Sequence, residues 1–72
     1  MKEQWIAHLM QEHSESLLRF LSSHTDNIED AEDLMQEIFT SCYKAYDRFD
    51  SSKCSEVAWL FIIAKNRLKN YY

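Results

Sequence analysis

Apolar side chains recur every three or four positions in three stretches of the chain, which is the spacing of amphipathic α-helices. The first stretch predicts a helix from about Glu3 to Ser23. Its apolar stripe consists of Ile6, Met10, His13, Leu17 and Phe20, with Leu9 and Leu21 beside it. Residues 22–26 are short and polar, a composition that favours a turn after this helix.

A second helix is expected to begin after Asp26 and to run to about Phe49. Asp26 and Glu29 lie three positions apart, the spacing of a capping box in which Asp26 is the capping residue. Several acidic residues follow in the first turns, where negative charge suits the helix dipole. The apolar stripe consists of Ala31, Met35, Ile38, Cys42, Ala45 and Phe49, widened by Leu34, Phe39 and Tyr46.

A polar connector, residues 50–55, separates this helix from a third one that starts near Glu56 and reaches the C-terminus. Ser55 is the expected cap of the third helix. Its core face consists of Val57, Leu60, Phe61, Ala64, Leu68 and Tyr71. The opposite face mixes large apolar groups with amides and a cation: Trp59, Ile62, Ile63, Asn66, Lys69 and Asn70. A helix apolar nearly all round is either enclosed or carries a binding surface, and a domain this small favours the binding surface.

Composition agrees with an all-α fold. The 72 residues make one small domain, and a hydrophobic fraction of 46% excludes a disordered tail. The absence of Gly and Pro removes the usual hairpin turns and any Gly-rich phosphate loop. No apolar run approaches the roughly 20 residues needed to span a bilayer, and the N-terminus lacks the layout of a signal peptide. We therefore expect a cytoplasmic protein without membrane association.

The residues offer little for catalysis or for binding a metal. His8, His13 and His24 do not have the i, i+4 spacing with which a helix grips zinc. Cys42 and Cys54 are expected to be reduced thiols. The sequence shows neither a paired nucleophile and base nor a phosphate loop, so we expect no enzyme activity and no cofactor.

Charge is unevenly distributed along the chain. Residues 1–42 hold two basic and nine acidic side chains, a net charge of −7, whereas residues 43–72 hold six basic and three acidic ones, a net charge of +3. Two different partners would account for the asymmetry, and two solvated faces would account for it equally well.

Three blocks of sequence resemble one known family. Residues 30–39 (DAEDLMQEIF), 45–50 (AYDRFD) and 58–67 (AWLFIIAKNR) are similar, in this order and spacing, to region 2 of the sigma-70 factors and most of all to the extracytoplasmic-function (ECF) group. The stretch from Leu17 to Leu21 also fits, so the resemblance covers roughly residues 17–72. It implies a compact three- to four-helix domain, here a single domain over residues 1–72, that acts in transcription initiation.

The resemblance implies that the acidic second helix docks on the clamp helices of the RNA polymerase β′ subunit. Asp33, Gln36 and Glu37 are spaced i, i+3 and i+4, so they share one surface of that helix. Carboxylates flanking an amide suit a basic coiled coil. Tyr43 and Phe39 flank the three residues, although Phe39 suits the core equally well. The alternative is a solvated acidic face.

The resemblance also implies that the connector and the last helix capture the non-template strand of the minus-ten promoter element. Capture of a single strand requires a pocket that contacts each base extruded from the stack. It also requires cations that bind the phosphates and amides that form hydrogen bonds with base edges. Lys53, Lys65, Arg67 and Lys69 supply the cations. Trp59 either stacks on a base or packs inside. The implied DNA-binding residues are Asp50, Ser51, Ser52, Lys53, Ser55, Trp59, Ile62, Lys65, Asn66, Lys69 and Asn70.

The sequence departs from the family pattern at the DNA face. Glu56 and Val57 stand where an aromatic and a basic residue are common, and Ile62 stands at another commonly basic position. The sequence ends at Tyr72, with no helix-turn-helix segment for the minus-thirty-five element. It is therefore either an excised fragment or a free-standing region 2 subunit whose partner is a separate chain carrying that segment. An anti-sigma factor is a further candidate partner. The alternative function is a helical interaction module that binds polymerase or an anti-sigma factor without reading promoter DNA.

Overall fold

Three α-helices form where the apolar periodicity predicts them. In the computed structural model, which describes residues 2–71, α1 spans Lys2–Ser22, α2 spans Ile28–Lys44 and α3 spans Glu56–Tyr71, with a short 3-10 helix at Tyr46–Arg48. The described residues contain no β-strand, so the predicted all-α fold is confirmed.

The helices enclose one cluster of buried apolar side chains, to which each of them contributes. α2 packs against both α1 and α3, which also touch each other. Burying one such aliphatic side chain contributes about 1.5–3 kcal/mol relative to leaving it in water. The buried set is Leu9, Leu17, Leu21, Ala31, Leu34, Ile38, Phe39, Cys42, Leu60, Ala64 and Leu68. Phe39 therefore belongs to the core.

The apolar face of α1 differs in detail from the predicted stripe. Leu9 and Leu21, expected beside the stripe, are fully buried, whereas Met10 is 43% exposed. Met10 lines a groove between α1 and α2, where neither helix covers it completely.

The first turn of α2 is capped by Asn27 rather than by Asp26, which corrects the predicted capping box. Asn27 has extended backbone angles (φ −152°, ψ 166°), and its Oδ1 accepts a hydrogen bond of 2.8 Å from the backbone N–H of Asp30. The backbone N–H of Asp26 donates instead to the hydroxyl of Tyr71 at 3.3 Å. The two residues are adjacent and both suit a cap, so composition could not choose between them.

The second helix ends at Lys44, five positions before the predicted end at Phe49. The backbone N–H of Ala45 closes the last turn by donating to the carbonyl of Ser41 at 2.9 Å. Tyr46 and Phe49 then contact Trp5, with ring centroids 5.0 and 6.0 Å away. Their apolar character reflects this ring packing and not a longer α2 stripe.

The third helix begins as predicted. Ser55 caps it, since its Oγ accepts a hydrogen bond of 3.2 Å from the N–H of Ala58. Val57, assigned to the core face, is 39% exposed because it lies in the first turn, outside the core built by the later residues of α3. On the opposite face Trp59 and Ile63 pack partly against the core, whereas Ile62 is 53% exposed.

Candidate functional site

The structure brings three of the predicted polymerase-binding residues together. Asp33, Gln36 and Glu37 are exposed on α2 and line a shallow depression of about 390 Å³ with Thr40 and Arg67. We call Asp33, Gln36 and Glu37 the acidic patch. Their spacing on a regular helix is sufficient to place them side by side.

Arg67 is directed towards the acidic patch, although the sequence analysis expected it to hold phosphates. Its Nη1 lies 3.7 Å from Oε1 of Glu37, and its Nη2 donates a 2.7 Å hydrogen bond to Oγ of Ser41. Arg67 therefore links α3 to α2 through both of its terminal nitrogens.

Tyr43 lies apart from the acidic depression and lines a neighbouring apolar groove of about 380 Å³. Its hydroxyl donates to Oε2 of Glu3 at 2.9 Å, and Nζ of Lys2 stands 4.4 Å from its ring centroid. The hydrogen bond to Glu3 raises the pKa of Tyr43 above its ordinary value. Gln36 lines both depressions and thereby connects Tyr43 to the acidic patch.

The connector, residues 50–55, is organised around Asp50. Its Oδ1 accepts hydrogen bonds from the hydroxyl of Ser52 at 2.6 Å and from the backbone N–H of Ser52 at 2.9 Å. These bonds hold the pKa of the Asp50 carboxyl below its ordinary value. The carbonyl of Asp50 also accepts from the N–H of Lys53 at 3.0 Å. Asp50 thus shapes the loop through its own hydrogen bonds.

The connector forms one wall of a solvent-open cavity of about 650 Å³, which we call the connector cavity. Ser51 and Ser55 are the two predicted DNA-binding residues that line it. Its other lining residues come from α1, the 3-10 helix, the connector and the positions that flank the connector: Trp5, Tyr46, Asp47, Phe49, Cys54 and Glu56. Except for Cys54, these residues lie outside the connector and were not predicted from the sequence to bind DNA.

Four aromatic rings pack together behind and beside this cavity. Trp5 lies 5.0 Å from Tyr46, 6.0 Å from Phe49 and 5.9 Å from Trp59, and Phe49 lies 5.2 Å from Trp59. Trp59 packs against the hydrophobic core and is not among the cavity-lining residues, so it serves as a support for the other rings. Of the two roles open to Trp59 from the sequence, stacking and packing, its contacts within the domain agree with packing.

The predicted DNA-binding residues of α3 fall into two groups. Ile62, Lys65, Asn66 and Lys69 are exposed along the helix. Because an α-helix rises 1.5 Å per residue, Asn70 lies about 22 Å along the helix axis from Ser55. It lines a depression together with Glu37 and Arg67. Asn70 thus lies closer to the acidic patch than to the connector.

Neither cysteine forms a disulfide: Cys42 is buried and Cys54 is half-buried. Within residues 2–71, no group of three or more His, Cys, Asp or Glu side chains is arranged to hold a metal ion. None of the described helices has the length and apolarity required to cross a membrane.

Comparison with known proteins adds one finding. The family model described as Sigma-70 region 2 matches residues 9–72 of the chain. The searches of curated proteins and of solved structures each gave no significant match. The family match begins after the first two turns of α1 and therefore leaves out Trp5.

Proposed function

Because the chain belongs to the sigma-70 region 2 family, we propose that it docks on the β′ clamp helices of RNA polymerase through α2 and captures the non-template strand of the minus-ten element through the connector and α3. The family assignment itself makes the chain a transcription-initiation factor domain, whose partners are polymerase core and promoter DNA. The observation that supports the finer proposal is the presence of two separate concave surfaces, one acidic and one aromatic, that share no lining residue.

The acidic patch suits docking because its groups are exposed acceptors. Asp33 forms no ion pair within residues 2–71, so its charge is available to a basic partner, whereas Glu37 is partly engaged by Arg67. Charge-assisted hydrogen bonds from a basic coiled coil would satisfy both carboxylates. The apolar groove next to Gln36 would extend the contact with buried hydrophobic area.

Strand capture requires that contacts with the protein offset the stacking free energy that an extruded base loses. Extrusion costs a few kcal/mol per base, and stacking on an aromatic ring returns about 1–3 kcal/mol. The connector cavity offers such rings, and the exposed Lys65 and Lys69 can hold the phosphates that follow. With a net charge of −4, the isolated domain should bind duplex DNA poorly, so we assign the opening of the strands to the complex with polymerase.

Charge reversal tests docking. Asp33→Lys combined with Glu37→Lys should abolish capture of core polymerase, while circular dichroism shows unchanged helicity. Asp33→Lys alone separates docking from the loss of the Arg67 pair, since it leaves that pair intact. Glu12→Lys with Glu15→Lys on α1 is the matched control, with the same change in net charge. Equal capture by the α2 and α1 double variants would exclude the acidic patch from docking.

One observation favours a second candidate function, a helical interaction module that binds polymerase or an anti-sigma factor without reading promoter DNA. Among the described residues, the connector cavity is lined by the carboxylates of Asp47 and Glu56 and by no lysine or arginine. Crosslinking to promoter DNA in the presence of core polymerase separates the two functions, because only a promoter-reading domain should crosslink through the connector.

A further inference from the structure

Trp5 precedes the part of the chain that the family model matches, yet it forms a wall of the connector cavity. Its side chain is half-buried, with the ring centroid 5.0–6.0 Å from those of Tyr46, Trp59 and Phe49, and it lines the cavity. Its indole Nε1–H donates to Oε2 of Glu56 at 2.5 Å. The tryptophan is thus fixed both by ring packing and by a hydrogen bond to the first residue of α3.

Two of the other lining side chains are carboxylates, those of Asp47 and Glu56. The carboxylates of Glu56 and Asp47 can only accept while ionised, and the hydroxyls of Ser51 and Ser55 can accept or donate. A carboxylate offers about four lone-pair sites, so the bond from Trp5 leaves Glu56 able to accept others. The cavity volume of about 650 Å³ lies within the range of about 300–1,000 Å³ typical of small-molecule sites.

We infer that Trp5 and Glu56 determine which base the connector cavity accepts: Trp5 stacks on the extruded base, and Glu56 accepts a hydrogen bond from its exocyclic amine. This inference rests on the proposed function. Adenine, cytosine and guanine carry an exocyclic amine. Thymine carries none, and its one donor on the pairing edge, N3–H, lies between two carbonyl oxygens that a carboxylate would repel. The cavity therefore selects an amine-bearing base and rejects thymine at one position of the captured strand.

Trp5 is better placed for stacking than Trp59. Both rings pack against the hydrophobic core, but of the two only Trp5 lines the cavity. Trp5 is also joined directly to the acceptor that reads the base edge, since the same side chain that stacks holds Glu56 in position. Stacking and edge recognition are then coupled through one hydrogen bond.

The first experiment measures base preference with the full chain bound to cognate core polymerase. Randomised single-stranded DNA is selected on this complex and sequenced. We expect one position depleted of thymine, and thymine substituted there in a selected oligonucleotide should weaken binding about tenfold, the effect of one good base-edge contact. Glu56→Gln should reduce this discrimination to within about twofold, because an amide both donates and accepts.

The second experiment tests stacking. The selected oligonucleotide is compared with one that has an abasic site at the discriminating position. Trp5→Ala should weaken binding of the intact strand about tenfold, the range expected for one stacked base, and should leave binding of the abasic strand unchanged within about twofold. Phe20→Ala is the matched control, another half-buried ring of α1 that contacts Phe61 at the far end of the helix. It should affect both strands equally.

The outcomes distinguish failure of strand capture from failure of the roles assigned to Trp5 and Glu56. If the parent complex binds no single-stranded DNA, the proposed function fails, and this inference fails with it. Strand binding with thymine tolerated at every position overturns the inference alone. So does an equal loss of intact and abasic strands in Trp5→Ala. Should Trp5→Ala not fold, Glu56→Gln still decides, because unaltered rejection of thymine in that variant overturns the role of Glu56.

Discussion

Arg67 of α3 forms an ion pair with Glu37 of α2, with Nη1 3.7 Å from Oε1. Arg67 belongs to α3, the helix proposed to bind DNA, but its ion pair is with α2, the helix proposed to dock on polymerase. Since Arg67 also donates to Ser41, its contribution is to the packing of α3 on α2. The charge of Glu37 is therefore partly neutralised by Arg67, whereas Asp33 forms no ion pair within residues 2–71.

Removal of Arg67 should therefore destabilise the domain. Arg67→Ala is expected to lower the free energy of unfolding by about 1 kcal/mol, because a half-exposed ion pair and one side-chain hydrogen bond are both lost. Urea denaturation followed by circular dichroism measures the change. Arg19→Ala, which breaks the exposed pair with Glu15 inside α1, should have a smaller effect. Equal losses in the two variants would show that the Arg67 contacts do not stabilise the helix packing.

The cap of α2 gives a second prediction. Asn27→Ala should cost about 1 kcal/mol of stability, since it leaves the backbone N–H of Asp30 without its partner. Asp26→Ala should be close to neutral, because its side chain does not cap the helix. Thermal unfolding of both variants decides which residue is the cap. A larger loss for Asp26→Ala would restore the capping box predicted from sequence.

The connector should respond to pH through Asp50. Its pKa is lowered in the folded domain, so its contribution to connector order is present above the unfolded value of about 3.9 and is lost as pH falls through the lower folded pKa. Carboxyl chemical shifts measured by nuclear magnetic resonance report this titration. Ser52→Ala should raise the pKa of Asp50 towards its ordinary value, since the hydroxyl donor is removed. An unchanged titration in Ser52→Ala would exclude that bond as the cause.

Salt dependence tests the phosphate contacts of α3. In the complex with core polymerase, Lys65→Ala and Lys69→Ala should each weaken single-strand binding for all sequences alike. Each should also flatten the slope of log affinity against log salt by about 0.7, the value for one phosphate contact on a single strand. Fluorescence titration at several salt concentrations gives the slope, with Arg19→Ala as the control that should not change it. A changed base preference in either lysine variant would mean that the residue reads sequence.

Local chemistry made part of this structure predictable. Leu60, Ala64 and Leu68 repeat at helical spacing, and Ser55 directly precedes the helix that it caps, so both features follow from neighbouring residues. The acidic patch was predictable for the same reason, because residues three and four apart on a helix share a surface.

The features that were missed depend on contacts between distant parts of the chain. Trp5 lies 51 positions before Glu56, and no spacing rule joins them. The end of α2 at Lys44 was hidden because Tyr46 and Phe49 keep a helical period while packing against Trp5. The orientation of Arg67 towards Glu37 likewise depends on how α3 lies on α2.

We expect the two thiols of the chain to differ in reactivity, because they differ in burial. Burial raises the pKa of Cys42 to about 11, so its thiolate is scarce at neutral pH, whereas Cys54 is half-buried and lines the connector cavity. A maleimide dye should therefore attach to Cys54 without any engineered cysteine. The unmodified sequence thus provides a position for a fluorescent reporter beside Trp5, from which the arrival of a DNA strand can be followed in real time.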